Sequence, residues 1–220
     1  MAKARTKSER LKRAVRHLRK VDPVMRLVIG HVGPCTLKCE RDRFWMLVRS
    51  ILSQQISTAA ARTVRDRVVA LVESSSGSKR VIPASLLALS VDDLRSAGCS
   101  QRKAEYMLAL ASQVDDGELE LAKIGRLSNE AVIESLIRVR GIGRWTAEMF
   151  LMFSLGRLDV FPVDDLGVRN AMVNLYGLVQ SASHGEFREI AESWQPYASI
   201  GSWYCWRSLE TDIPTISSAD

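Results

Sequence analysis

Apolar residues recur at helical spacing along most of this chain. The clearest apolar stripe begins at Phe44 and ends at Leu52, and further stripes follow at residues 60–71 and 104–114. Sustained alternation of apolar and polar residues, which is typical of half-buried strands, is missing throughout the sequence. The pattern therefore predicts an all-helical fold.

A pair of glycines breaks the helical pattern in the second half of the chain. Residues 130–138 predict one helix, Gly141 and Gly143 interrupt it, and a second helix resumes at Trp145. The segment 130–155 is therefore a predicted helix-hairpin-helix. The amides at the start of the second helix could hold a DNA phosphate, although such a turn is more often a plain connection between helices.

Two adjacent acidic residues follow the next loop. Pro162 ends that loop, and Asp164 and Asp165 come where a helix N-cap is expected, before an apolar face that begins at Val168. The start of a helix favours an ionised carboxylate, which suits an electrostatic stabiliser or a base. Without further context, capping is the commoner role of an acidic residue at this place.

The composition adds a positive charge and excludes some classes of protein. The chain has 31 Lys and Arg against 25 Asp and Glu, a net charge of +6 that favours polyanions such as nucleic acid, although many basic proteins have no such partner. No apolar run could span a membrane, and the basic start lacks the apolar core of a signal peptide. Because no second pair of cysteines follows at zinc-finger spacing, we expect reduced thiols in a cytoplasmic protein. The cysteines are Cys35, Cys39, Cys99 and Cys205.

Several segments resemble one known superfamily. The stretch Leu136 to Phe150, followed by Asp159-Val-Phe-Pro-Val-Asp-Asp165 and a helix, resembles the helix-hairpin-helix (HhH-GPD) DNA glycosylases. Within that superfamily the chain is most similar to the 3-methyladenine DNA glycosylase II family, through Gly141-Ile-Gly-Arg-Trp-Thr-Ala147, Ser53-Gln-Gln-Ile-Ser57 and Asp22-Pro-Val-Met25. Few residues precede Asp22, so we expect the compact form without an additional sheet domain.

The resemblance implies a base-excision repair enzyme that hydrolyses the N-glycosidic bond of alkylated purines, chiefly 3-methyladenine, and leaves an abasic site. Asp165 would be the catalytic carboxylate that stabilises the positive charge building on the sugar, and Asp164 would cap the helix. Trp145 stands where lyases of the superfamily carry a lysine, so we expect a monofunctional enzyme. The extruded base would lie against Trp145, Trp206 and Phe44.

The resemblance also implies contacts with double-stranded DNA outside the base pocket. Gln54 and Gln55 end a predicted helix where relatives push a side chain into the gap left by the flipped base, although ordinary helix termination is the plainer explanation. The hairpin residues expected at a phosphate are Gly141, Gly143, Arg144 and Thr146. The main-chain carbonyls expected to hold Na+ or K+ are those of Ile137, Val139 and Ile142. No cofactor is expected for catalysis, and no iron–sulfur cluster, because only Cys205 lies in the C-terminal part.

The expected fold has two helical subdomains with the active site in the cleft between them. One would join residues 21–39 with 160–220, and the other would be a central bundle of residues 40–159. The sequence leaves open whether the basic segment 1–20 is ordered. We expect a monomer in the cytoplasm, at the nucleoid of a bacterium, or in a eukaryotic nucleus. Two other functions remain: a glycosylase for uracil, hypoxanthine or another lesion, and a non-catalytic hairpin protein that binds DNA.

Overall fold

The computed structural model describes residues 7–211 and 213. Within this part of the chain there are twelve α-helices, one short 3-10 helix and no strand, which confirms the predicted all-helical fold. None of the described helices is long and apolar enough to cross a membrane. The helices are α1 (Lys7–Val21), α2 (Pro23–Val32), α3 (Arg43–Ser53), α4 (Thr58–Ser76), α5 (Pro83–Leu87), α6 (Val91–Ser96), α7 (Gln101–Asp115), α8 (Asn129–Ile137), α9 (Arg144–Phe153), α10 (Leu166–Tyr176), α11 (His184–Glu192) and α12 (Ala198–Ser208).

The described residues form two compact units. The terminal unit joins the chain up to Cys39 with the chain from Gly156 onward, and the central unit is Glu40–Leu155. The second boundary thus lies four residues before the position predicted from the sequence. The reason is that the loop after the central unit already binds α12: Ser199 N donates to Leu158 O at 3.0 Å. The basic segment whose order the sequence left open is helical from Lys7 and belongs to the terminal unit.

A buried carboxylate connects three parts of the terminal unit. Asp22 caps α2 by accepting from Met25 N at 3.0 Å, and its Oδ2 accepts from Tyr176 Oη at 2.6 Å and Trp194 Nε1 at 2.8 Å. Burial raises the pKa of the Tyr176 phenol, so the hydroxyl remains a donor. Trp194 in turn packs against Gly201, where an added Cβ would lie 2.4 Å from the ring. Asp22 therefore fixes the end of α10 and one face of α12.

In the central unit, α7 packs against α3, α5 and α6, while α3 also packs against α4 and α9. The helices α8 and α9 pack against each other as the two arms of the predicted hairpin. Five helices of this unit begin at a side chain that accepts from the backbone N–H three residues later, which satisfies a donor that the helix cannot. These caps are Asp42, Ser57, Ser90, Ser100 and Ser128.

Candidate functional site

Asp165 lies at the N-terminus of α10 in the terminal unit, and its side chain is largely buried, with 8% exposed. Its Oδ1 accepts from Val168 N at 2.8 Å, and Trp206 Nε1 of α12 donates to the same oxygen at 2.8 Å. Two N–H donors and the positive end of the helix stabilise negative charge at this position. The structure thus holds a carboxylate in one orientation beside an indole ring.

The neighbouring Asp164 does not cap α10, so that expectation is wrong. Asp165 N donates to Pro162 O at 3.0 Å, and this turn directs the second carboxylate toward the first helical turn. The side chain of Asp164 is instead exposed, with its Oδ1 3.7 Å from His184 Nδ1. Asp165 is both the helix cap and the partner of the indole.

The loop before α10 is fixed by the start of α12. Asp159 Oδ1 accepts from Ala198 N at 3.2 Å, and Ser199 Oγ accepts from Val160 N at 2.9 Å. Ser199 is buried, and no motif in the sequence marks it. These bonds tie the segment that leads to the candidate catalytic carboxylate to the helix that carries its indole partner.

Gly167 is a second residue that the sequence analysis missed. A Cβ added there would lie 3.1 Å from Asp165 Oδ1 and 3.1 Å from Trp206 Cδ1, closer than ordinary van der Waals contact. The only signal in the sequence is a glycine in the first turn of a helix, where glycine costs helix stability and therefore needs a reason. The space it leaves is occupied by the carboxylate and the indole.

Cys205 of α12 is fully buried, and the charge of Asp165 acts on its thiol. Burial raises the pKa of Cys205, and the charges of Asp22 and Asp165 raise it further. A thiol is nucleophilic only as the thiolate, so this one is a neutral core residue. Cys205 is therefore not a candidate nucleophile.

The structure distributes the three predicted base-pocket aromatics over both units. Trp206 is half-buried and bonded to Asp165 through its indole nitrogen. Trp145 lies on α9 of the central unit with 39% of its surface exposed, and Phe44 lies on α3 within the core of that unit. The pairing of Trp206 with Asp165 is observed, whereas a pocket shared with Trp145 and Phe44 stays a prediction.

The hairpin between α8 and α9 turns at Gly141, whose φ of +92° is a left-handed conformation that favours glycine. Val139 and Ile142 anchor the turn in the core, and Ile142 N donates to Val139 O at 3.0 Å. A Cβ at Gly141 would lie 2.2 Å from the ring of Tyr106. Gln54 Nε2 donates to Gly141 O at 3.0 Å. One of the two predicted glutamines therefore supports the hairpin.

The other glutamine, Gln55, is exposed at the end of α3. Its φ of +57° is uncommon for a residue with a side chain, and such strain often accompanies a functional site. The backbone thus displays this side chain rather than packing it. Of the two glutamines, Gln55 is the exposed one, and insertion of either into the DNA stays a prediction.

The N-cap of α9 is Gly143, which has no side chain to accept from the first amides of the helix. The first backbone bond of the helix runs from Ala147 N to Gly143 O at 3.1 Å, so the N–H of Thr146 has no acceptor within the helix. The side chain of Thr146 is buried, with only 3% exposed, because it lies on the inner face of α9. A phosphate contact at this residue would have to use its backbone.

The guanidinium of Arg144, expected at a phosphate, is engaged by carboxylates. Its two terminal nitrogens donate to Glu130 at 2.9 and 3.1 Å, and its Nε donates to Glu148 at 3.3 Å. These hydrogen bonds lower the pKa of Glu130 and raise that of Arg144. Arg144 therefore connects α8 with α9, and its charge is largely balanced within the hairpin.

Comparison with known proteins shows the family of this chain. The model of the HhH-GPD superfamily base excision DNA repair proteins matches residues 48–196. The alkylbase DNA glycosidase-like protein mag2 of Schizosaccharomyces pombe is 29% identical over 205 residues, which are 92% of this chain and 95% of that protein.

Two solved structures are also similar. The 3-methyladenine DNA glycosylase (Mag1) of Schizosaccharomyces pombe in complex with abasic DNA has a TM-score of 0.80 and 30% identity, covering 92% of this chain and 99% of that one. The DNA-3-methyladenine glycosidase of Bacillus halodurans has a TM-score of 0.78 and 34% identity, covering 89% and 88%. This chain therefore belongs to the HhH-GPD superfamily of base excision DNA repair proteins.

Proposed function

We propose that this protein is a base-excision repair DNA glycosylase that hydrolyses the N-glycosidic bond of alkylated purines such as 3-methyladenine and leaves an abasic site. The observation that carries the proposal is the buried carboxylate of Asp165, fixed by Val168 N and Trp206 Nε1 at 2.8 Å each, in a member of this superfamily. Similarity to a 3-methyladenine DNA glycosylase bound to abasic DNA supports it.

The reaction that we propose needs one carboxylate and one water. The C1′–N bond breaks and its electron pair leaves with the base, so positive charge builds on the sugar. The carboxylate of Asp165 is already oriented by the N–H groups that donate to it from Val168 and Trp206. It would stabilise that charge without rearranging. Water supplies its oxygen to C1′, and its proton goes to the carboxylate or to solvent. A purine alkylated on a ring nitrogen is cationic and departs as a neutral base, so this leaving group needs no acid.

The choice of an alkylated base rests on the aromatic residues. Electron-poor, cationic rings are attracted to the faces of tryptophan, and the half-buried ring of Trp206 lies beside the carboxylate. Trp145 would supply a second face. The base must leave the helical stack to reach such a site, and the exposed Gln55 would occupy the gap.

We also propose that the enzyme does not cut the DNA strand. Strand cleavage by a covalent route requires an amine that forms a Schiff base with the sugar. α9 contains no lysine, and Trp145 stands at the hairpin position that resembles the lysine site of the lyases. The expected product is an intact strand with an abasic site.

The duplex would be held at the hairpin, by the tight turn at Gly141 and the amide end of α9. The carbonyls of Ile137, Val139 and Ile142 would hold a monovalent cation, since main-chain oxygens suit a hard ion and all three come from one short turn. Such an ion would attract a phosphate and supply no chemistry. The protein would act wherever chromosomal DNA lies: in the bacterial cytoplasm or the eukaryotic nucleus.

The proposal is tested with three duplexes that carry methylated purines, uracil or hypoxanthine. Free base, abasic sites and strand breaks are counted in the same reaction. Release of 3-methyladenine with intact abasic strands is the expected result. Breaks that persist through purification would contradict the monofunctional assignment. Release confined to uracil or hypoxanthine would contradict the substrate, and no release from any duplex would contradict the activity.

A further inference from the structure

The positive charge of the chain is concentrated in its first helix. The whole protein has 31 basic and 25 acidic residues, a net charge of +6. α1 alone has seven Lys and Arg and one Glu, which is also a net charge of +6. The rest of the chain therefore has 24 residues of each sign and is electrically balanced. The attraction to polyanions that the composition predicts comes from one element.

Five of these basic residues face one side of α1. They are spaced by three and four residues, so at about 100° per residue they fall within an arc of about 120°. Ala14 and Leu18, both fully buried, occupy the opposite side, where α1 packs against α2 and α12. All five basic residues are exposed, and together they form what we call the basic stripe. The basic stripe consists of Lys12, Arg13, Arg16, Arg19 and Lys20.

The basic stripe is not neutralised within the described part of the protein: α1 itself has one carboxylate, Glu9, against these five cations. None of its five side chains forms an ion pair with a carboxylate of the described residues. Other exposed cations of the chain, such as Lys79, Arg95 and Lys123, do have carboxylate partners within 4 Å. Like charges four residues apart destabilise a helix, so the basic stripe costs stability in the isolated protein.

We infer that the basic stripe is a second contact surface for duplex DNA, which binds phosphates of any sequence outside the lesion site. It runs over nine residues, about 12 Å of helix, and a duplex presents a charge about every 1.7 Å, or about seven charges over that length. Long exposed lysine and arginine side chains reach such charges without a shaped pocket. This surface would keep the enzyme on undamaged DNA while it searches for a lesion.

DNA fits this surface better than an anionic membrane does. A helix that lies in a membrane interface needs an exposed apolar face opposite its charges. The corresponding side of α1 is occupied by the terminal unit itself, with Ala14 and Leu18 at its centre. The exposed side of α1 therefore offers a partner only positive charge, which matches the phosphate backbone of DNA. The inference rests on the proposed function, because a repair enzyme must bind DNA before it finds its base.

The test compares two variants of the full chain with equal net charge. The stripe variant replaces Lys12, Arg13, Arg16 and Lys20 by Gln; Arg19 is left unchanged, so that each variant loses four positive charges. The control variant replaces four exposed cations that are each within 4 Å of a carboxylate. These are Lys79, Arg80, Arg95 and Lys123. Thermal unfolding checks that both variants fold.

Affinity for an undamaged duplex is measured from 50 to 200 mM salt. In the stripe variant the slope of log K against log salt should become shallower by up to about 3.6, which is about 0.9 for each of four phosphate contacts. The variant should also bind at least about tenfold more weakly than the wild type, whereas the control should keep the wild-type slope. Equal slopes for the two variants would overturn the inference, as would binding of anionic vesicles or acidic peptides in preference to DNA.

Base release under single-turnover conditions, with enzyme saturating a methylated duplex, separates this inference from the proposed function. The stripe variant should release base at the wild-type rate once it is bound. If the wild type releases no base but the difference in salt slope persists, the proposed activity is wrong and the DNA surface stands. If base release is normal and the slopes are equal, the surface is wrong and the activity stands.

Discussion

Replacing Gly167 by alanine tests whether the spacing of Asp165 and Trp206 matters for catalysis. The new Cβ would lie 3.1 Å from Asp165 Oδ1, 3.1 Å from Trp206 Cδ1 and 3.3 Å from Trp206 Nε1. Since these contacts are too short, the carboxylate or the indole must move by about 0.3–0.5 Å to reach ordinary van der Waals separation. A misplacement of 1 Å can cost about 100-fold, so a shift of this size predicts a rate about four- to tenfold lower.

The stability of the Gly167→Ala variant should not fall with its rate. Alanine is favoured over glycine within helices by up to about 1 kcal/mol, which offsets the local displacement. Gly185→Ala is the matched control because Gly185 is also the second residue of its helix, α11, and its added Cβ would meet only Ser183 Oγ at an ordinary 3.5 Å.

Single-turnover base release from a methylated duplex measures the effect, and thermal unfolding is recorded for both variants. The expected result is a slower Gly167→Ala variant with an unchanged or higher melting temperature and a Gly185→Ala variant at the wild-type rate. The reasoning is refuted if Gly167→Ala releases base within about twofold of the wild type, or if both variants slow equally.

Two further predictions concern the fold. Asp22→Ala removes the cap of α2 and the acceptor of two donors, the buried Trp194 Nε1 and the part-buried Tyr176 Oη, at about 1–3 kcal/mol for each donor. The free energy of unfolding should fall by about 3 kcal/mol or more, and by less for Asp22→Asn; a loss below about 1 kcal/mol in urea denaturation would contradict this network. Gly141→Ala should destabilise the protein by at least about 1–2 kcal/mol, because the φ of this residue is positive. Gly143→Ala should not, because its added Cβ would meet no atom within 4 Å. Equal melting temperatures for the two variants would contradict a turn that requires glycine at position 141.

The parts of the fold that depend on local spacing could be predicted from the sequence. The apolar stripe from Phe44 to Leu52 lies within α3, and the glycines of the hairpin separate α8 from α9 as expected. The position of Asp165 at a helix start also follows from local signals, since a proline and an acidic pair precede an apolar stripe. Each of these depends on residues within a few positions of one another.

Choices between neighbouring residues could not be made in this way. Whether Asp164 or Asp165 caps α10 depends on a turn closed by Pro162 O, and whether Gln54 or Gln55 is displayed depends on one positive φ. Buried polar networks are still less visible, because the partners of Asp22 lie more than 150 positions away in the chain. Burial of Thr146 and pairing of Arg144 likewise depend on how helices pack.

Replacing Asp165 by asparagine tests whether this carboxylate performs the chemistry. The amide oxygen can still cap α10 and accept from Trp206, but the negative charge is lost. Asp164→Asn is the control, since that exposed neighbour loses the same charge one residue away. Free 3-methyladenine released from methylated duplex DNA is measured together with affinity for the duplex. Release by Asp165→Asn should be about 100- to 1000-fold slower, with unchanged DNA affinity, and the control should release base normally. Release within about tenfold of the wild type, or an equal loss in Asp164→Asn, would contradict it.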